Sequence, residues 1–433
     1  MAETKNVYGE IPKEELIKEQ QSLQQKYNEF KSKNLKLNMM RGVQSIEQLD
    51  LSNELITAPL ANQIAKDIGD ARNYGGLMGA AEARELFRDM LDADSIDEIM
   101  VLSNASLNIM YDTIAKAMLF GVQDGNSAWG KLEKVKFLCP VPGYDRHFSI
   151  CQAFGIEMIN IAMTETGPDM DEIEKLVSSD ASIKGIWCVP KYSNPDGITY
   201  SDDTVRRFAA LSPAADDFRI FWDNAYCVHD LTENGDELLN VFSELKKNKK
   251  EDMIYIFASM SKITFAGAGI AAICASKKNI DFINAKVFVQ TIGPDKVNQL
   301  KHAQFLKDKN GIKAHMEKHK KILKPKFDAV CGCLEINLKE FKDANLSSWV
   351  NPNGGYFISL FVPEGCAKKS IEMCADIGVA LTPAGSTYPY KKDPNDSNIR
   401  IAPTFPSVQD LIAATEALCV CIKLAYITKF IEK

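Results

Sequence analysis

The sequence predicts an α/β protein: a large domain with a mainly parallel sheet and a smaller α+β domain after it. Short apolar runs alternate with segments of helical periodicity through the middle of the chain, which is typical of a parallel sheet covered by helices. The pattern then changes, after about residue 313, to one long Lys-rich helix and scattered short strands. With 433 residues and 45% hydrophobic residues, the chain is long enough to bury two cores.

The individual elements follow from local patterns. The predicted strands of the large sheet are short, apolar and bounded by Pro, Gly, Asp or Ser: Val135–Cys139, Glu157–Ile161, Gly185–Val189, Arg219–Trp222, Ile254–Ala258 and Ile270–Ala275. The predicted helices are Lys13–Lys33, Asn108–Phe120, Asp145–Ala153, Asp169–Ser178, Asp202–Leu211 and a final helix from Ser407. We therefore predict an N-terminal segment (1–54) that packs with the small domain, a large domain (55–320) and a small domain (321–433).

Composition excludes several classes of function. The chain carries 51 Lys and Arg against 58 Asp and Glu, a net charge of −7, so nucleic acid and anionic membranes are unfavourable partners. The charged N-terminus lacks the apolar region of a signal peptide, and we expect a cytoplasmic protein. The eleven cysteines are scattered without the spacing of a zinc site, so we expect buried free thiols and no metal.

The strongest chemical signal is a lysine directly after an apolar strand, in Ser259-Met260-Ser261-Lys262. A lysine held among apolar neighbours at a sheet edge loses hydration, its pKa falls, and its amine becomes able to condense with an aldehyde. A surface lysine after a strand is the alternative reading of this segment alone.

Polar side chains follow two earlier strands of the predicted sheet. Asp223 ends the strand in Phe221–Trp222, and Asn194 lies in the turn after Gly185–Val189. Parallel strands bring such ends to one edge of the sheet. An aspartate there can keep a pyridine nitrogen protonated, and Asn194 and the Tyr226 hydroxyl can donate to a phenolate oxygen. A helix cap and an ordinary turn are the alternatives.

These three motifs, in this order, resemble the fold-type I aminotransferases that use pyridoxal phosphate, in particular the aspartate aminotransferase-like class I enzymes of the atypical subgroup Ic. The resemblance extends from Leu37-Asn38-Met39-Met40-Arg41-Gly42 to Arg400-Ile401-Ala402-Pro403. It implies that the mainly parallel sheet of the large domain has seven strands. It also implies that Lys262 carries the cofactor as an imine and moves the proton at the substrate Cα. Asp223 would pair with the pyridinium nitrogen, and Asn194 and Tyr226 would donate hydrogen bonds to the phenolate oxygen of the ring.

The same resemblance implies further roles for individual residues. Residues implied in cofactor binding are Asn104, Ala105 and Ser106 before a helix, Tyr144 stacked on the ring, His147 behind Asp223, and the hydroxyls of Ser259 and Ser261. Tyr74 resembles the tyrosine that reaches the neighbouring subunit's phosphate, which implies a homodimer. Arg400, Gly42 and Asn194 would bind the substrate α-carboxylate.

Two positions depart from the family pattern. Many members carry a phosphate-binding arginine seven or eight residues after the lysine, where this chain has Gly269 and Ile270. Asp196 stands where a threonine is common, and its negative charge would be tolerated if the side chain is solvated. His315 and His319 are spaced i, i+4 without a zinc-protease signature, and we interpret them as part of a polar helix face.

The predicted function is transfer of an amino group from an acidic amino acid (aspartate or glutamate) to a 2-oxo acid by a ping-pong mechanism. The alternatives are an aromatic- or alanine-type transaminase, a C–S lyase, or a non-catalytic binding protein of the same fold. An acidic substrate needs a second cation for its distal carboxylate. The candidates are Arg41, Lys191, Lys296 and His302.

Overall fold

The computed structural model describes residues 7–8 and 11–432. Fifteen α-helices lie in this part of the chain, in the order α1 Lys13–Ser32, α2 Ile46–Asp50, α3 Glu54–Thr57, α4 Ala81–Leu91, α5 Ser106–Phe120, α6 Asp145–Ala153, α7 Met170–Ser179, α8 Asp202–Ala210, α9 Val241–Lys247, α10 Lys277–Val287, α11 Lys296–Leu306, α12 Lys309–Asn337, α13 Lys339–Asp343, α14 Ala367–Asp376 and α15 Val408–Ile431. Several begin as expected: the side chains of Asp169, Ser201 and Ser407 accept hydrogen bonds from free amides of the first turn.

The same residues contain fifteen strands, most of them short. They are β1 Leu37–Asn38, β2 Ile64–Ala65, β3 Gly69–Asp70, β4 Ile99–Val101, β5 Lys136–Val141, β6 Glu157–Thr164, β7 Gly167–Pro168, β8 Ile183–Cys188, β9 Arg219–Asp223, β10 Ile254–Ser259, β11 Ala271–Cys274, β12 Ser348–Trp349, β13 Ile358–Phe361, β14 Val379–Ala380 and β15 Asn398–Ile401. All six strands predicted for the large sheet are present, most with ends shifted by one or two residues.

The large sheet has the order β4-β11-β10-β9-β8-β5-β6-β7. Neighbours from β10 to β6 pair in parallel, whereas β11 is antiparallel to both β10 and β4. The α/β class is confirmed, but the sheet has eight strands rather than seven. The eighth, β7, is a two-residue hairpin partner of β6 and is too short to leave an apolar run in the sequence.

The parallel pairing brings the carboxyl ends of β5, β8, β9 and β10 to one edge of the sheet, as the sequence predicts. Two successive antiparallel pairings restore the direction of the chain, so β4 also ends at this edge. Both faces of the sheet are covered by helices, and every residue of β8, β9 and β10 is buried. The site is therefore carried by a rigid core.

A second layer of the structure contains the three-stranded antiparallel sheet β12-β13-β15 and the helices that pack on it. The N-terminal helix α1 contributes Leu16 and Leu23 to the apolar core of this layer, and β1 pairs with β14. Helix α12 joins the two cores, since Ile312 packs in the core of the large sheet and Phe327 in that of the second layer. The domain limits 1–54, 55–320 and 321–433 stay a prediction, and residues 1–6, 9–10 and 433 lie outside the described part.

Helix α15 is long and apolar enough, by length and composition, to cross a membrane, but 61% of its most apolar window is buried against the rest of the protein. It is the central helix of the second layer and packs on α1, α12 and α14. All eleven cysteines are free, and all except Cys227 are buried, as predicted.

Candidate active site

A cavity of about 470 Å³ opens where the carboxyl edge of the large sheet meets the second layer. Eight of the residues predicted from the sequence line it: Gly42, Ser106, Tyr144, Asn194, Asp223, Tyr226, Lys262 and Arg400. They come from distant segments of the chain, so the fold alone brings them together. The cavity is the candidate active site.

Lys262 follows β10 and points into this cavity. Its Nζ lies 5.1 Å from the ring centroid of Tyr226 and 5.8 Å from that of Tyr356. Burial lowers the pKa of the Lys262 amine, and the nearby Asp223 carboxylate opposes this effect. A lysine whose pKa is lowered supplies more of the neutral amine, which is the nucleophilic and basic form.

Asp223 is the last residue of β9 and is 3% exposed. One carboxylate oxygen, Oδ2, lies 3.0 Å from Nε2 of His147, whose ring stacks on Trp187 with the planes 7° apart. The other oxygen, Oδ1, is buried and has no hydrogen-bond partner within the described residues. An unpartnered buried carboxylate oxygen is costly, so Oδ1 is suited to a cationic donor bound in the cavity.

Tyr144 and Tyr226 form part of the cavity wall beside Asp223. Burial raises the pKa of both hydroxyls, and the Asp223 carboxylate raises it further, so both act as neutral donors. Asn194 is 4% exposed and lies in the loop after β8. The structure therefore places the three predicted ring-binding side chains around one volume.

The predicted phosphate-binding residues lie together at the N-terminus of α5. Ala105 is the N-cap of this helix, Ser106 is its first residue, and the free amides of the first turn are suited to an anion. The Ser259 hydroxyl donates to Ser261 Oγ over 3.2 Å, and Ser261 Oγ lies 3.4 Å from the carbonyl oxygen of Asn104. At Gly269, a Cβ would come within 3.1 Å of the same carbonyl oxygen.

Arg400, on β15, is 7% exposed and reaches the cavity from the second layer. Its Nη1 donates to Asp145 Oδ1 over 3.0 Å and lies 3.4 Å from Asn194 Oδ1, while its Nε has no partner within the described residues. The guanidinium also lies over the Phe357 ring, 4.9 Å from its centroid. Gly42 is required beside this ring, because a Cβ there would lie 2.6 Å from Phe357 Cζ.

Tyr74 and three of the candidate cations do not line the cavity. Tyr74 is 80% exposed. Of the candidate cations, Arg41 lines the cavity. The other three do not line it within a single chain: Lys191 pairs with Asp230, Lys296 donates to the Gly75 carbonyl, and His302 is fully buried against Thr264. A contribution of Lys296 or His302 across a dimer interface stays a prediction.

The structure does not meet the condition under which the charge of Asp196 would be tolerated. Asp196 is 6% exposed, and its Oδ1 has no hydrogen-bond partner within the described residues. Desolvation by burial raises the pKa of this carboxyl to about 7, and the Ser359 hydroxyl opposes the shift only in part. Asp196 therefore holds a proton more readily than a solvated aspartate does.

His315 and His319 lie on one polar face of α12, as the sequence analysis interprets them, but this face is buried. They are 4% and 0% exposed, and the Nε2 atoms of both lie 2.9 Å from the carbonyl oxygen of Ile263, next to Lys262. Their i, i+4 spacing does place them on one face of α12, but that face points inward. Spacing alone does not distinguish a buried polar stripe from an exposed one.

Sequence reasoning missed several residues of the cavity. Asp145 directly follows Tyr144 in a motif that the sequence singles out, yet only the structure shows its ion pair with Arg400. Tyr356, in the Gly-Gly-Tyr-Phe segment, packs beside Lys262. Two further cations and three aromatic residues of the missed part of the wall are Arg146, Lys391, Phe148, Tyr388 and Tyr390.

Together, the doubly covered sheet and the lysine, aspartate and arginine that converge at its edge define an enzyme of the aminotransferase class. The family model for aspartate aminotransferases matches residues 11–433. The aspartate aminotransferase of Corynebacterium glutamicum is 43% identical over 406 residues, which cover 94% of this chain and 93% of the relative. This chain therefore belongs to the aspartate aminotransferase family, and the protein is an aminotransferase.

Solved structures agree with this assignment. A crystal structure of an aspartate transaminase from Corynebacterium glutamicum superposes with a TM-score of 0.94 at 41% identity and covers 99% of this chain and 100% of its own. An α-aminoadipate aminotransferase from Thermus thermophilus, complexed with N-(5'-phosphopyridoxyl)-L-leucine, gives 0.71 at 16% identity, with 91% and 93% covered. The second likeness shows the fold alone.

Proposed function

We propose that the protein is a pyridoxal-phosphate-dependent aminotransferase that moves an amino group from aspartate or glutamate to a 2-oxo acid by a ping-pong mechanism. The observation that carries the cofactor assignment is the Lys262 amine in one cavity with the unpartnered Oδ1 of Asp223. A pyridinium nitrogen is a cationic donor of the kind that this oxygen lacks. The N-terminus of α5 supports the phosphate end of the same cofactor.

When bound, the cofactor supplies an electron sink for the bond that breaks at the substrate Cα. The chain's own residues perform the rest. Lys262, as a neutral amine, removes and returns the proton at Cα, since its lowered pKa keeps enough of the base form available. Arg400 binds the α-carboxylate with its unpartnered Nε and orients Cα toward Lys262. Asp223, held by His147, maintains the positive charge of the ring nitrogen.

The preference for acidic donors is supported by cations in the cavity wall. Arg41, Arg146 and Lys391 line the cavity in addition to Arg400, which leaves cations available for a distal carboxylate. A second candidate is an aromatic donor, because Phe148, Tyr388 and Tyr390 line the same wall. The two candidates differ in whether a cation or an aromatic ring meets the substrate side chain.

We also propose a cytoplasmic homodimer. Tyr74 is exposed in a single chain, and Phe288, Val289 and Ile292 are exposed as well, at 72%, 78% and 60%. Large apolar side chains exposed together favour a protein interface. A dimer would bury them and allow Tyr74 to act on the neighbouring subunit, and the net charge of −7 disfavours nucleic acid as a partner.

A donor and acceptor panel tests the proposed substrates. Aspartate and glutamate should exceed alanine and phenylalanine in kcat/KM by about tenfold, as expected when one charge-assisted hydrogen bond is lost. With a donor and no acceptor, each site should release one oxo acid, and initial-rate plots at several acceptor concentrations should be parallel. A phenylalanine preference would favour the aromatic candidate, and an absence of turnover with every donor would contradict the proposal.

The cations are tested one at a time by Arg41→Met, Arg146→Met and Lys391→Met. At least one of them should lower kcat/KM for aspartate by about tenfold and leave that for alanine within about twofold, because only aspartate has a distal carboxylate. Lys392→Met is the matched control, since Lys392 is exposed beside Lys391 and does not line the cavity. Equal losses for both donors would contradict recognition of the distal carboxylate.

A further inference from the structure

Two buried glutamines, Gln44 and Gln48, connect the wall of the cavity to the backbone that carries Lys262. The segment before them, Met40–Val43, lines the cavity, and Gln48 is a fully buried residue of α2. Gln44 Nε2 donates to the carbonyl oxygen of Thr264 over 2.9 Å. Gln48 Nε2 lies 3.1 Å from both His319 Nδ1 and Tyr356 Oη.

The direction of these hydrogen bonds follows from one fixed donor. The backbone N–H of Ser45 donates to Oε1 of Gln48 over 3.1 Å, so the other amide atom of Gln48 is the NH₂ group. His319 Nδ1 therefore accepts, and its Nε2 carries the proton that is donated to the Ile263 carbonyl oxygen 2.9 Å away. Burial lowers the pKa of His319 to about 4, which agrees with this neutral ring.

The same reasoning applies to Tyr356. Its hydroxyl oxygen accepts from Gln48, which leaves the hydroxyl proton free to donate to the carbonyl oxygen of Lys262, 3.4 Å away. The carbonyl oxygens of three successive residues, Lys262, Ile263 and Thr264, are thus each bonded by a side chain from outside their own segment. Two of these three bonds depend on Gln48 and the third is made by Gln44, while His315 Nε2 also lies 2.9 Å from the Ile263 carbonyl oxygen.

We propose that Gln48, assisted by Gln44, is a positioning residue for Lys262: through Tyr356 and His319 it fixes the backbone of residues 262–264 and hence the direction of the Lys262 amine in the cavity. The inference rests on the proposed role of Lys262 in proton transfer. A reaction whose catalytic base is misplaced by about 1 Å is slowed by up to about a hundredfold. Hydrogen bonds that hold the backbone of this base therefore affect the rate directly.

The test compares Gln48→Met with a matched control. Methionine has a similar volume and shape but neither donates nor accepts at these positions, so Ser45, His319 and Tyr356 lose a partner while the core stays filled. Asn279→Leu is the control: Asn279 is also a fully buried amide with two side-chain hydrogen bonds, to Gln123 and Asp252, and it does not line the cavity. Both variants are purified as the full-length holoenzyme.

The first measurement is the division between kcat and KM for the preferred donor. Gln48→Met should lower kcat by about tenfold or more and change KM by less than about threefold, because the α-carboxylate contacts are kept while the base is displaced. Tyr356→Phe removes only the hydroxyl and should lower kcat in the same direction by a smaller factor. Asn279→Leu should keep the wild-type kcat.

The second measurement does not depend on turnover. The amides of Ile263 and Thr264 donate to the Met260 carbonyl, so their hydrogen exchange reports the stability of the Lys262 turn. In the same holoenzyme preparations, Gln48→Met should speed exchange in residues 260–265 by about tenfold, the loss expected for one buried hydrogen bond. Asn279→Leu should leave this peptide unchanged.

These outcomes separate the inference from the proposed role of Lys262. A wild-type kcat in Gln48→Met, or a fall in kcat and a rise in exchange no larger than in Asn279→Leu, would overturn the positioning role. If Gln48→Met does not fold, Tyr356→Phe decides the question by the same two measurements. An active Lys262→Ala variant would refute the role of Lys262 itself. In that case, faster exchange at residues 260–265 in Gln48→Met would still show that Gln48 holds this backbone in place.

Discussion

Replacement of Asp196 by asparagine should make the protein less sensitive to alkaline pH. Burial raises the pKa of this carboxyl from 3.8 to about 7 in the folded protein. Between these two values the unfolded chain has released the proton while the folded chain still holds it, so the folded state loses stability as pH rises. The sign is opposite to that of a salt-bridged aspartate. Above about pH 7 the loss is complete and constant.

The magnitude follows from the shift. About three pKa units correspond to about 4 kcal/mol in the free energy of unfolding, of which about 3 kcal/mol falls between about pH 5 and about pH 8. An asparagine side chain at this position would have the same shape and no titration, so the stability of Asp196→Asn relative to wild type should rise by that amount over this interval. Urea unfolding at both pH values, at one protein concentration, measures the difference.

The matched control is Asp216→Asn, because Asp216 is an exposed aspartate of the same domain. Its stability relative to wild type should not change between about pH 5 and about pH 8. The reasoning is refuted if the difference between Asp196→Asn and wild type is the same at both pH values, or if it is larger at the lower one. Either result would mean that the folded protein ionises Asp196 at least as easily as the unfolded chain does.

Three further predictions concern the site. Borohydride reduction of the holoenzyme should fix a pyridoxyl group on Lys262, as mapped by peptide mass spectrometry, and Lys262→Ala should bind the cofactor yet lose transamination by orders of magnitude; an adduct on another lysine would contradict this. Light scattering should show a homodimer, and Tyr74→Phe should weaken cofactor retention by about tenfold without altering the fold, whereas a fully active monomer would refute the shared site. Asp145→Asn should lower KM for the amino donor by about fivefold, because it removes a charge that competes for Arg400 in a partly exposed pair; an unchanged KM would show that the substrate does not displace Asp145.

The fold and the centre of the site are readable from the sequence because each rests on a local signal. Apolar runs mark β8, β9 and β10, and polar residues at their carboxyl ends necessarily meet at one edge of a parallel sheet. Lys262, Asp223 and Asn194 are therefore predicted together. β7 leaves no such signal, because a two-residue strand has no periodicity and its pairing depends on the hairpin to β6.

Burial of polar side chains cannot be read from the sequence in the same way. His315 and His319 follow the pattern of a solvated helix face, but their partners, Gln48 and the Ile263 carbonyl, lie far away in the chain. The burial of Asp196 is likewise not visible in the sequence. A polar side chain can be buried when residues from distant segments of the chain form hydrogen bonds with it, and a local sequence pattern does not show these partners.

The cation that binds a distal carboxylate could not be identified from the sequence for the same reason. Lys191, Lys296 and His302 are cationic or basic residues close in sequence to functional motifs, yet each is already held by a partner in its own chain. Arg146 and Lys391 line the cavity, but Arg146 stands in its motif only as a neighbour of Tyr144, and no local pattern marks Lys391. A paired cation must give up its partner before it can bind a substrate carboxylate, as Arg400 must give up Asp145. Pairing of this kind depends on the three-dimensional arrangement, so the sequence alone does not identify the cation for a distal carboxylate.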